Sequence, residues 1–232
     1  MSKIERLIEE LCPDGVEYKK IDTFLEVLRG KRLTKKELTI TGTYPVYHGG
    51  LQPLGYYTDY NRNEKTVMII NVGASAGTVG YSDTKFWSSD GCYCLSFNAE
   101  IMPKFLYYYL VNNEIHFISK VRYAGIPTLD KKIIENFEIP VPPLPIQEEI
   151  VRILDSFTEK TNELKAKLEE ELEARKKQYE WYRNELLIEK KEYLLKELGS
   201  VCTFVRGPFG GALKKEIFKT EGYAVYEQQN AI

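Results

Sequence analysis

The stretch from Ile146 to Lys190 reads IQEEIVRILDSFTEKTNELKAKLEEELEARKKQYEWYRNELLIEK and contains neither glycine nor proline. Apolar or seam-compatible residues recur along it at steps of three and four, with one extra step of four, at Ile150, Leu154, Phe157, Thr161, Leu164, Leu168, Leu172, Arg175, Tyr179, Tyr182 and Leu186. This heptad stripe predicts a helix of about 65 Å that pairs with another helix. Without a partner, Tyr179, Tyr182 and Leu186 would be left in water.

A proline-rich segment, Val141 to Pro145, lies directly before this stretch. Its prolines hold the chain extended, and the last of them is suited to the start of a helix. The sequence therefore predicts a boundary near residue 145, between an N-terminal module (1–145) and a long spacer and dimerisation helix (146–191).

After the helix, the chain repeats its own beginning. Glu17-Tyr18, IDTFLEVLRG (Ile21 to Gly30), KKE (Lys35 to Glu37) and TYPVY (Thr43 to Tyr47) recur as Glu192-Tyr193, LGSVCTFVRG (Leu198 to Gly207), KKE (Lys214 to Glu216) and GYAVY (Gly222 to Tyr226). A repeat marks domain boundaries independently of local propensity. We therefore expect residues 192–232 to begin a second, truncated copy of the N-terminal module.

The N-terminal module is predicted to be rich in β-strands. Val67 to Val72, Tyr93 to Phe97 and Tyr44 to Tyr47 are short apolar runs separated by glycines, which is typical of strands and turns. Pro103 to Lys120 has helical spacing of apolar residues and is expected to pack on the sheet. The predicted fold class is α+β, in which a β-rich domain with a few packed helices precedes a long coiled-coil-forming helix.

Composition excludes several classes of protein. No apolar run approaches the roughly 18 residues that cross a bilayer, and the charged start of the chain is not a signal peptide, so we expect a cytoplasmic protein. Four cysteines and two histidines form no pattern typical of a zinc site or a disulfide framework. The net charge is −2, but residues 17–132 carry 15 Lys and Arg against 11 Asp and Glu, so this region is modestly basic. We expect no metal and no cofactor in this chain.

Two motifs resemble catalytic signatures and are interpreted as turns. Gly73-Ala74-Ser75-Ala76-Gly77 matches G-x-S-x-G, but the residues that follow are β-like, whereas a nucleophile elbow opens into a helix. Pro13-Asp14 followed by Glu17-Tyr18-Lys19 places its two acids too close together for a metal-sharing pair. We expect a strand-to-strand turn around Ser75 and no catalytic residue.

Several longer segments resemble the specificity subunit of Type I restriction-modification systems. They are PDGVEYKKI (Pro13 to Ile21), GTYPVYHGG (Gly42 to Gly50), NVGASAGTVG (Asn71 to Gly80) and GIPTLDKKIIENFEIPVPPLPIQEEIVRILD (Gly125 to Asp155). The resemblance covers nearly the whole chain, with one departure at Ile146, where an acidic residue is usual in the family.

The resemblance implies that residues 1–145 are a target recognition domain that reads one part of a bipartite DNA site, and that the helix sets the spacing to the other part. It also implies partners: methyltransferase subunits, which bind S-adenosylmethionine and methylate adenine, and an ATP-dependent motor-nuclease subunit. A complete specificity subunit has two recognition domains and two antiparallel helices. Since this chain has one of each and a stub, our hypothesis is that two copies pair through their helices.

Basic and amide side chains in the predicted loops are candidates for contact with double-stranded DNA. We assign Arg29, Lys31, Arg32, Lys35 and Lys36 mainly to phosphates, and His48, Gln52, Arg62 and Arg122 to bases. The other candidates are Lys65, Ser75, Lys85 and Tyr123. The alternatives are a protein-binding scaffold that oligomerises through its helix, and a hydrolase built around Ser75.

Overall fold

The computed structural model describes residues 2–34, 36–40, 42–187 and 196–203. The chain divides into two compact units, residues 1–169 and 170–232. The helices in the described residues are α1 (Lys3–Leu11), α2 (Ile21–Phe24), α3 (Pro103–Asn112), α4 (Glu114–Ser119), α5 (Lys131–Glu135), α6 (Leu144–Leu187) and α7 (Leu198–Val201). The strands are β1 (Tyr18–Lys20), β2 (Val27–Arg29), β3 (Tyr44–Tyr47), β4 (Gly55–Tyr57), β5 (Thr66–Ile70), β6 (Val79–Ser82), β7 (Trp87–Ser88), β8 (Cys92–Leu95) and β9 (Glu138–Pro140). This arrangement confirms the predicted α+β fold with a long helix.

A four-stranded antiparallel sheet in the order β2-β8-β5-β6 forms the centre of the first unit. Along β5, Val67 and Ile69 belong to the larger apolar core, while Met68 and Ile70 belong to a smaller core on the opposite face. Because both faces are covered, the strand needs apolar residues at every position. The predicted strand at Val67 to Val72 is confirmed, although β5 itself ends at Ile70.

A second sheet, in the order β4-β3-β7, lies on the side of the smaller core. Strand β3 pairs antiparallel with β4 and parallel with β7, and it has the predicted bounds Tyr44–Tyr47. The Tyr47 and Phe86 rings meet edge to face, with 5.4 Å between their centroids, and both contact the smaller core. The loops that carry most candidate DNA contacts begin or end on these two sheets.

Helices cover the other face of the four-stranded sheet. Buried residues of α3 (Phe105, Leu106 and Leu110) and α4 (Phe117) pack in the larger core. The predicted helical segment from Pro103 to Lys120 is confirmed and packs on the sheet, but it is divided at Asn113 into two helices. The side-chain amide of Asn113 donates to the Tyr109 carbonyl at 2.8 Å, and such local bonds compete with the helical pattern.

Helix α6 is 44 residues long and begins at Leu144, two residues before the predicted start. Pro145 therefore lies in its first turn, where a missing N–H is tolerated. Near its start the helix buries Ile146, Gln147, Glu149 and Val151, whereas every residue from Phe157 to Leu187 is exposed. Within the part of the chain that the structure describes, no helix is both long enough and apolar enough to span a membrane.

Gln147 joins the start of α6 to the domain. Its side chain is fully buried, its Oε1 accepts from the Met102 N–H at 2.8 Å, and its Nε2 donates to the carbonyls of Glu100 (2.9 Å) and Pro142 (2.7 Å). The amide thus satisfies main-chain groups on two loops at once. A leucine of similar size would leave these groups unpaired in the interior.

Two acidic residues of α6 also anchor the helix. The Glu149 carboxylate accepts from Lys3 Nζ at 2.8 Å and from two nitrogens of Arg152 at 2.6 and 3.0 Å. These hydrogen bonds, first from Arg152 and then from Lys3, lower the pKa of Glu149 to about 2. Glu149 thereby links α6 to the N-terminal helix α1.

Nearly two helical turns after Glu149, Asp155 binds α3. Its carboxylate accepts from the Tyr108 hydroxyl at 2.5 Å and from Lys104 Nζ at 3.0 Å. The bond to Asp155 raises the pKa of Lys104, which keeps this amine charged. Together with Gln147 and Glu149, Asp155 holds the first turns of α6 against the domain.

The short helix α7 has the same local structure as α2, 177 positions earlier in the chain. In α2 the Thr23 hydroxyl donates to the Lys20 carbonyl at 2.6 Å, and in α7 the Ser200 hydroxyl donates to the Glu197 carbonyl at 2.7 Å. This match supports the predicted repeat. The rest of the second copy, including its second KKE and GYAVY segments, lies outside the described residues.

The cysteines are all free thiols. Cys12, Cys92 and Cys94 are buried, while Cys202 is exposed. Cys12 precedes the turn at Pro13-Asp14, where the Gly15 N–H donates to the Cys12 carbonyl at 3.0 Å and Gly15 has φ of +95°. The segment therefore forms a turn, as expected.

Candidate nucleic-acid interface

The glycine turn around Ser75 connects β5 to β6. The Ala76 N–H donates to the Gly73 carbonyl and the Thr78 N–H to the Ser75 carbonyl, at 3.0 and 3.1 Å. Gly77 has φ of +94°, and a Cβ there would lie 2.8 Å from the main chain of Ile118, so only glycine fits. The chain continues as a strand after the turn, which confirms the predicted strand-to-strand turn and removes the geometry of a nucleophile elbow.

Two other loops lie against this turn. A Cβ on Gly73 would be 3.7 Å from the Gly49 carbonyl, and one on Gly50 would be 3.9 Å from the Ser75 hydroxyl. On the other side, the Gly73 N–H donates to the Pro127 carbonyl at 2.9 Å. We call residues 48–52, 72–76 and 122–128 together the loop surface. It gathers five predicted contacts from three separate parts of the sequence: His48, Gln52, Ser75, Arg122 and Tyr123.

His48 lies at the inner edge of the loop surface. Its Nδ1 is buried without a hydrogen bond and is 3.4 Å from the Asp90 carboxylate, close enough for an ion pair when the ring is protonated. A Cβ on Gly91 would approach this ring to 2.7 Å, so glycine leaves the room that the imidazole occupies. Asp90 was not identified from the sequence, because its proximity to His48 depends on the pairing of β3 with β7.

The basic loop after β2 lies beside the same region. The Lys31 N–H donates to the Ser88 carbonyl at 2.9 Å, and the Trp87 indole donates to the Lys31 carbonyl at 2.7 Å. The side chains of Arg29, Lys31, Arg32 and Lys36 are exposed. Lys35 lies outside the described residues, so its predicted phosphate contact stays a prediction.

Glu37 closes the basic loop. The Thr34 hydroxyl and N–H both donate to its carboxylate at 2.7 Å, and these bonds, with a smaller contribution from Lys31, lower its pKa. The carboxylate therefore serves the loop's own conformation. Since Arg29, Arg32 and Lys36 form no side-chain ion pair with described residues, their charges are available to an anionic ligand.

The hydrogen bonds of Arg62 favour a role other than the predicted base contact, which stays a prediction. Its guanidinium donates to the carbonyls of Asn61 at 2.7 Å and Arg29 at 2.9 Å, and the side chain is only partly exposed. The neighbouring Asn61 amide forms two hydrogen bonds with the main chain of Ser88: its Oδ1 accepts from the Ser88 N–H at 2.7 Å, and its Nδ2 donates to the Ser88 carbonyl at 2.9 Å. Because these bonds direct the guanidinium towards the main chain, the geometry favours a structural role.

Lys65 and Lys85 lie apart from the loop surface. Lys65 directly precedes β5, whereas the glycine turn follows the other end of that strand, about 20 Å away along extended chain. Lys85 Nζ donates to the Tyr60 hydroxyl at 3.0 Å and lies 4.3 Å from the centre of that ring, and the hydrogen bond raises its pKa. The structure does not bring these two lysines together with His48 or Ser75.

No cluster of three or more His, Cys, Asp or Glu side chains suited to hold a metal ion is found in the described ranges. The loop surface and the neighbouring basic loop together offer exposed cations, an exposed amide at Gln52, a partly exposed hydroxyl at Ser75 and main-chain groups of glycine-rich loops. These are the groups that contact phosphates and base edges in protein–DNA complexes.

Comparisons with known proteins identify the family. Residues 13–174 match the family model of the Type I restriction modification DNA specificity domain. A putative type I restriction enzyme specificity subunit of Haemophilus influenzae is 32% identical over 207 residues, which cover 85% of this chain and 52% of that protein. A putative type I specificity subunit of Mycoplasma pneumoniae is 32% identical over 178 residues, which cover 75% of this chain and 70% of that protein.

The fold agrees with this assignment. The crystal structure of the S subunit of a Type I restriction-modification system from M. genitalium matches with a TM-score of 0.59 and 24% identity, over 65% of this chain and 41% of that one. The chain spans about half the length of several of the curated relatives that it matches. The family is one of DNA-specificity components, in agreement with the expectation that this chain is not itself the enzyme. The glycine turn, the proline-flanked start of α6 and the long helix are thus those of a Type I restriction modification DNA specificity domain, the family to which this chain belongs.

Proposed function

We propose that residues 1–145 recognise one half of a bipartite DNA target, as the sequence-reading part of a Type I specificity subunit. The observation that carries the proposal is the loop surface, where residues from three loops meet beside exposed cations that have no acidic partner among the described residues. Counterion release from the DNA backbone would supply affinity, and groups such as Gln52 and His48 would supply base contacts.

The chemistry would be performed by associated subunits. Methyltransferase subunits, which bind S-adenosylmethionine, would dock on this chain and methylate adenine at N6, and an ATP-dependent motor-nuclease subunit would cut unmodified DNA. This chain would position the associated subunits on the DNA and supply the preference for a DNA sequence. It would bind no cofactor of its own. We place the whole complex in the cytoplasm, where its DNA substrate is.

The proposal is tested by co-purification with the methyltransferase subunit of the host, followed by mapping of methylated adenines. We expect a gapped motif, which is palindromic if two identical modules read it. A complex that methylates without sequence preference, or a chain that never retains the methyltransferase, would contradict the proposal. In the second case, the protein-binding scaffold becomes the better interpretation.

We also propose that two copies of the chain pair through α6. Along the heptad stripe, Phe157, Leu164, Leu168, Leu172 and the aromatic residues beyond them are each at least half exposed. An apolar stripe on a helix that is charged on its other faces is typical of a coiled-coil seam. Ile150 and Leu154, which start the stripe, are partly buried by the domain itself.

The spacing of the stripe supports an antiparallel pair with its two-fold axis at Leu168. The steps between stripe residues read the same in both directions from Leu168, including the extra step of four. An antiparallel copy would therefore oppose Ile150 to Leu186, Leu154 to Tyr182, Phe157 to Tyr179, Thr161 to Arg175, Leu164 to Leu172, and Leu168 to itself.

Charge supports the same orientation. In a parallel pair Arg175 would face its own copy in the seam, and Lys160 would face Lys165 beside it. The antiparallel register instead opposes Arg175 to Thr161 and Lys165 to Glu169. Like charges opposed across a helix pair are unfavourable, so the antiparallel arrangement is the more stable one.

Engineered cysteines distinguish the two orientations. In a Cys202→Ser background, which removes the one exposed native thiol among the four cysteines, the double variant Leu154→Cys with Tyr182→Cys should form a covalent dimer under mild oxidation. Each single variant should stay uncrosslinked, because its cysteine would have no thiol opposite. Crosslinking of the single variants would indicate a parallel pair.

A further inference from the structure

The segment Arg122–Thr128 forms a small hairpin that stands out from the loop surface. Arg122 and Thr128 form an antiparallel bridge, with main-chain bonds of 2.9 and 3.0 Å, and Val121 and Leu129 on either side are buried. All five residues from Arg122 to Ile126 are exposed. Gly125 has φ of +88° and turns the chain at the tip.

The hairpin is held firmly although its tip is exposed. Its base is fixed to the glycine turn by the bond from Gly73 N–H to the Pro127 carbonyl and to the end of β5 by the bond from Leu129 N–H to the Asn71 carbonyl, both 2.9 Å. Tyr123 and Ile126 at the tip are each 70% exposed. A rigid loop that presents two large apolar side chains to water is an expected feature of a contact surface.

The charges around the tip indicate what it contacts. Arg122 lies at the base of the hairpin and Lys120 lies two residues earlier, both are exposed, and neither has an ion pair with a described residue. Unpaired cations beside an apolar tip match a ligand that is anionic at its edges and offers apolar groups between them. Duplex DNA has this pattern, with phosphates along the groove edges and thymine methyl groups on its floor.

We propose, on the basis of the proposed function above, that this hairpin enters the major groove and that Ile126 contacts a thymine methyl group. A two-stranded β-ribbon has the width that the major groove admits, and apolar side chains are the groups that recognise the thymine methyl. Arg122 and Lys120 then lie beside the phosphates. Ile126 thus becomes a specificity-determining residue, although its side chain forms no hydrogen bond with DNA.

The test replaces thymidine by deoxyuridine, which removes only the methyl group and preserves pairing. Binding is measured by fluorescence anisotropy for the full chain in complex with its methyltransferase subunit, on a duplex with the mapped target and on the same duplex with uracil in the recognised half. That half contains a thymine, because a methylated adenine pairs with one. We expect the wild type to bind the uracil duplex about fourfold more weakly per contacted methyl.

Two variants complete the experiment. Ile126→Ala should bind the thymine duplex about fourfold more weakly than the wild type and should bind both duplexes equally. Ile115→Ala, which alters an isoleucine of α4 that is 80% exposed, should keep the wild-type ratio. Thermal melting of both variants establishes that they are folded. Because the wild type and both variants are measured on the same two duplexes, any effect of uracil on DNA shape cancels when their binding ratios are compared.

The outcomes separate this inference from the proposed function. Equal binding of both duplexes by the wild type, or an unchanged ratio in Ile126→Ala, overturns the thymine contact while sequence-specific binding stands. Loss of the methyltransferase subunit from Ile126→Ala would assign the tip to protein docking and overturn it as well. Failure of the wild-type complex to prefer the mapped target over random DNA would overturn both proposals.

Discussion

At the scale of single residues, Arg62 and Arg32 illustrate how two side chains of the same type can have different roles. Both lie in loops of the basic region of the sequence, and both are plausible DNA contacts by residue type alone. In the structure, the Arg62 guanidinium binds two main-chain carbonyls, whereas Arg32 is exposed and forms no ion pair with described residues. Burial and bonding, rather than residue type, therefore separate the structural arginine from the available one.

Alanine substitutions should separate these roles. Arg62→Ala removes the donor to the Arg29 carbonyl and to the partly buried Asn61 carbonyl, so we expect the free energy of unfolding in urea to fall by about 1 to 3 kcal/mol. Arg32→Ala should leave that free energy within about 0.5 kcal/mol of wild type. It should instead reduce the slope of log affinity against log salt by about one. Full stability of Arg62→Ala, combined with lost discrimination between DNA sites, would restore the base-contact interpretation.

At the scale of secondary-structure elements, the start of α6 decides how the reading domain is joined to the helix. Gln147, Glu149 and Asp155 each bind a different part of the domain: the loop before α3, the N-terminal helix α1, and α3 itself. A joint of this kind fixes the first turns of the helix to the domain. The spacing between two half-sites of a DNA target would depend on the stiffness of this joint.

Gln147 is the residue whose loss should weaken the joint most. Gln147→Ala removes the three hydrogen bonds of a fully buried side chain, one of them buried and two partly buried, so the free energy of unfolding should fall by about 2 to 4 kcal/mol. Glu148→Ala alters the exposed neighbour and serves as the control, with an expected change within about 0.5 kcal/mol. Equal effects of both substitutions in chemical denaturation would show that the amide is not a special contact.

At the scale of the whole molecule, the proposed assembly depends on the seam of α6. The domain has its own apolar core, but the heptad stripe is left in water in a single chain. Pairing would give two reading modules related by a two-fold axis, and a two-fold protein matches a palindromic target.

Leu168 lies on that proposed axis and meets its own copy, so one substitution acts twice. Leu168→Glu should place two carboxylates against each other and convert the dimer to a monomer, as measured by light scattering at micromolar concentration. Ala166→Glu, two residues away on the outer face of the helix, should leave the dimer intact. If Leu168→Glu has the mass of the wild type, the seam does not hold the copies together.

The elements and the site differ in how far they could be predicted. The long helix, β3 and the buried strand β5 follow from patterns within a few neighbouring residues, and their predictions were close to the observed bounds. The break at Asn113 was missed, because apolar spacing continues across it. At the site, the sequence analysis did not identify Asp90, Ile126 or Lys120. No motif in the neighbouring sequence indicates that these residues belong to it.

The sequence by itself determined the helix with its stripe, the strand-rich module, the repeat and the family. Periodicity and glycine placement are local, and neighbouring residues suffice to specify them. Only the tertiary structure decided which candidate contacts share a surface: it placed His48, Ser75 and Arg122 together, turned Arg62 inward and left Lys65 at the far end of β5. The physical reason is that loops acquire their positions from main-chain bonds between distant segments, such as that from Gly73 to Pro127, and no local pattern encodes these bonds.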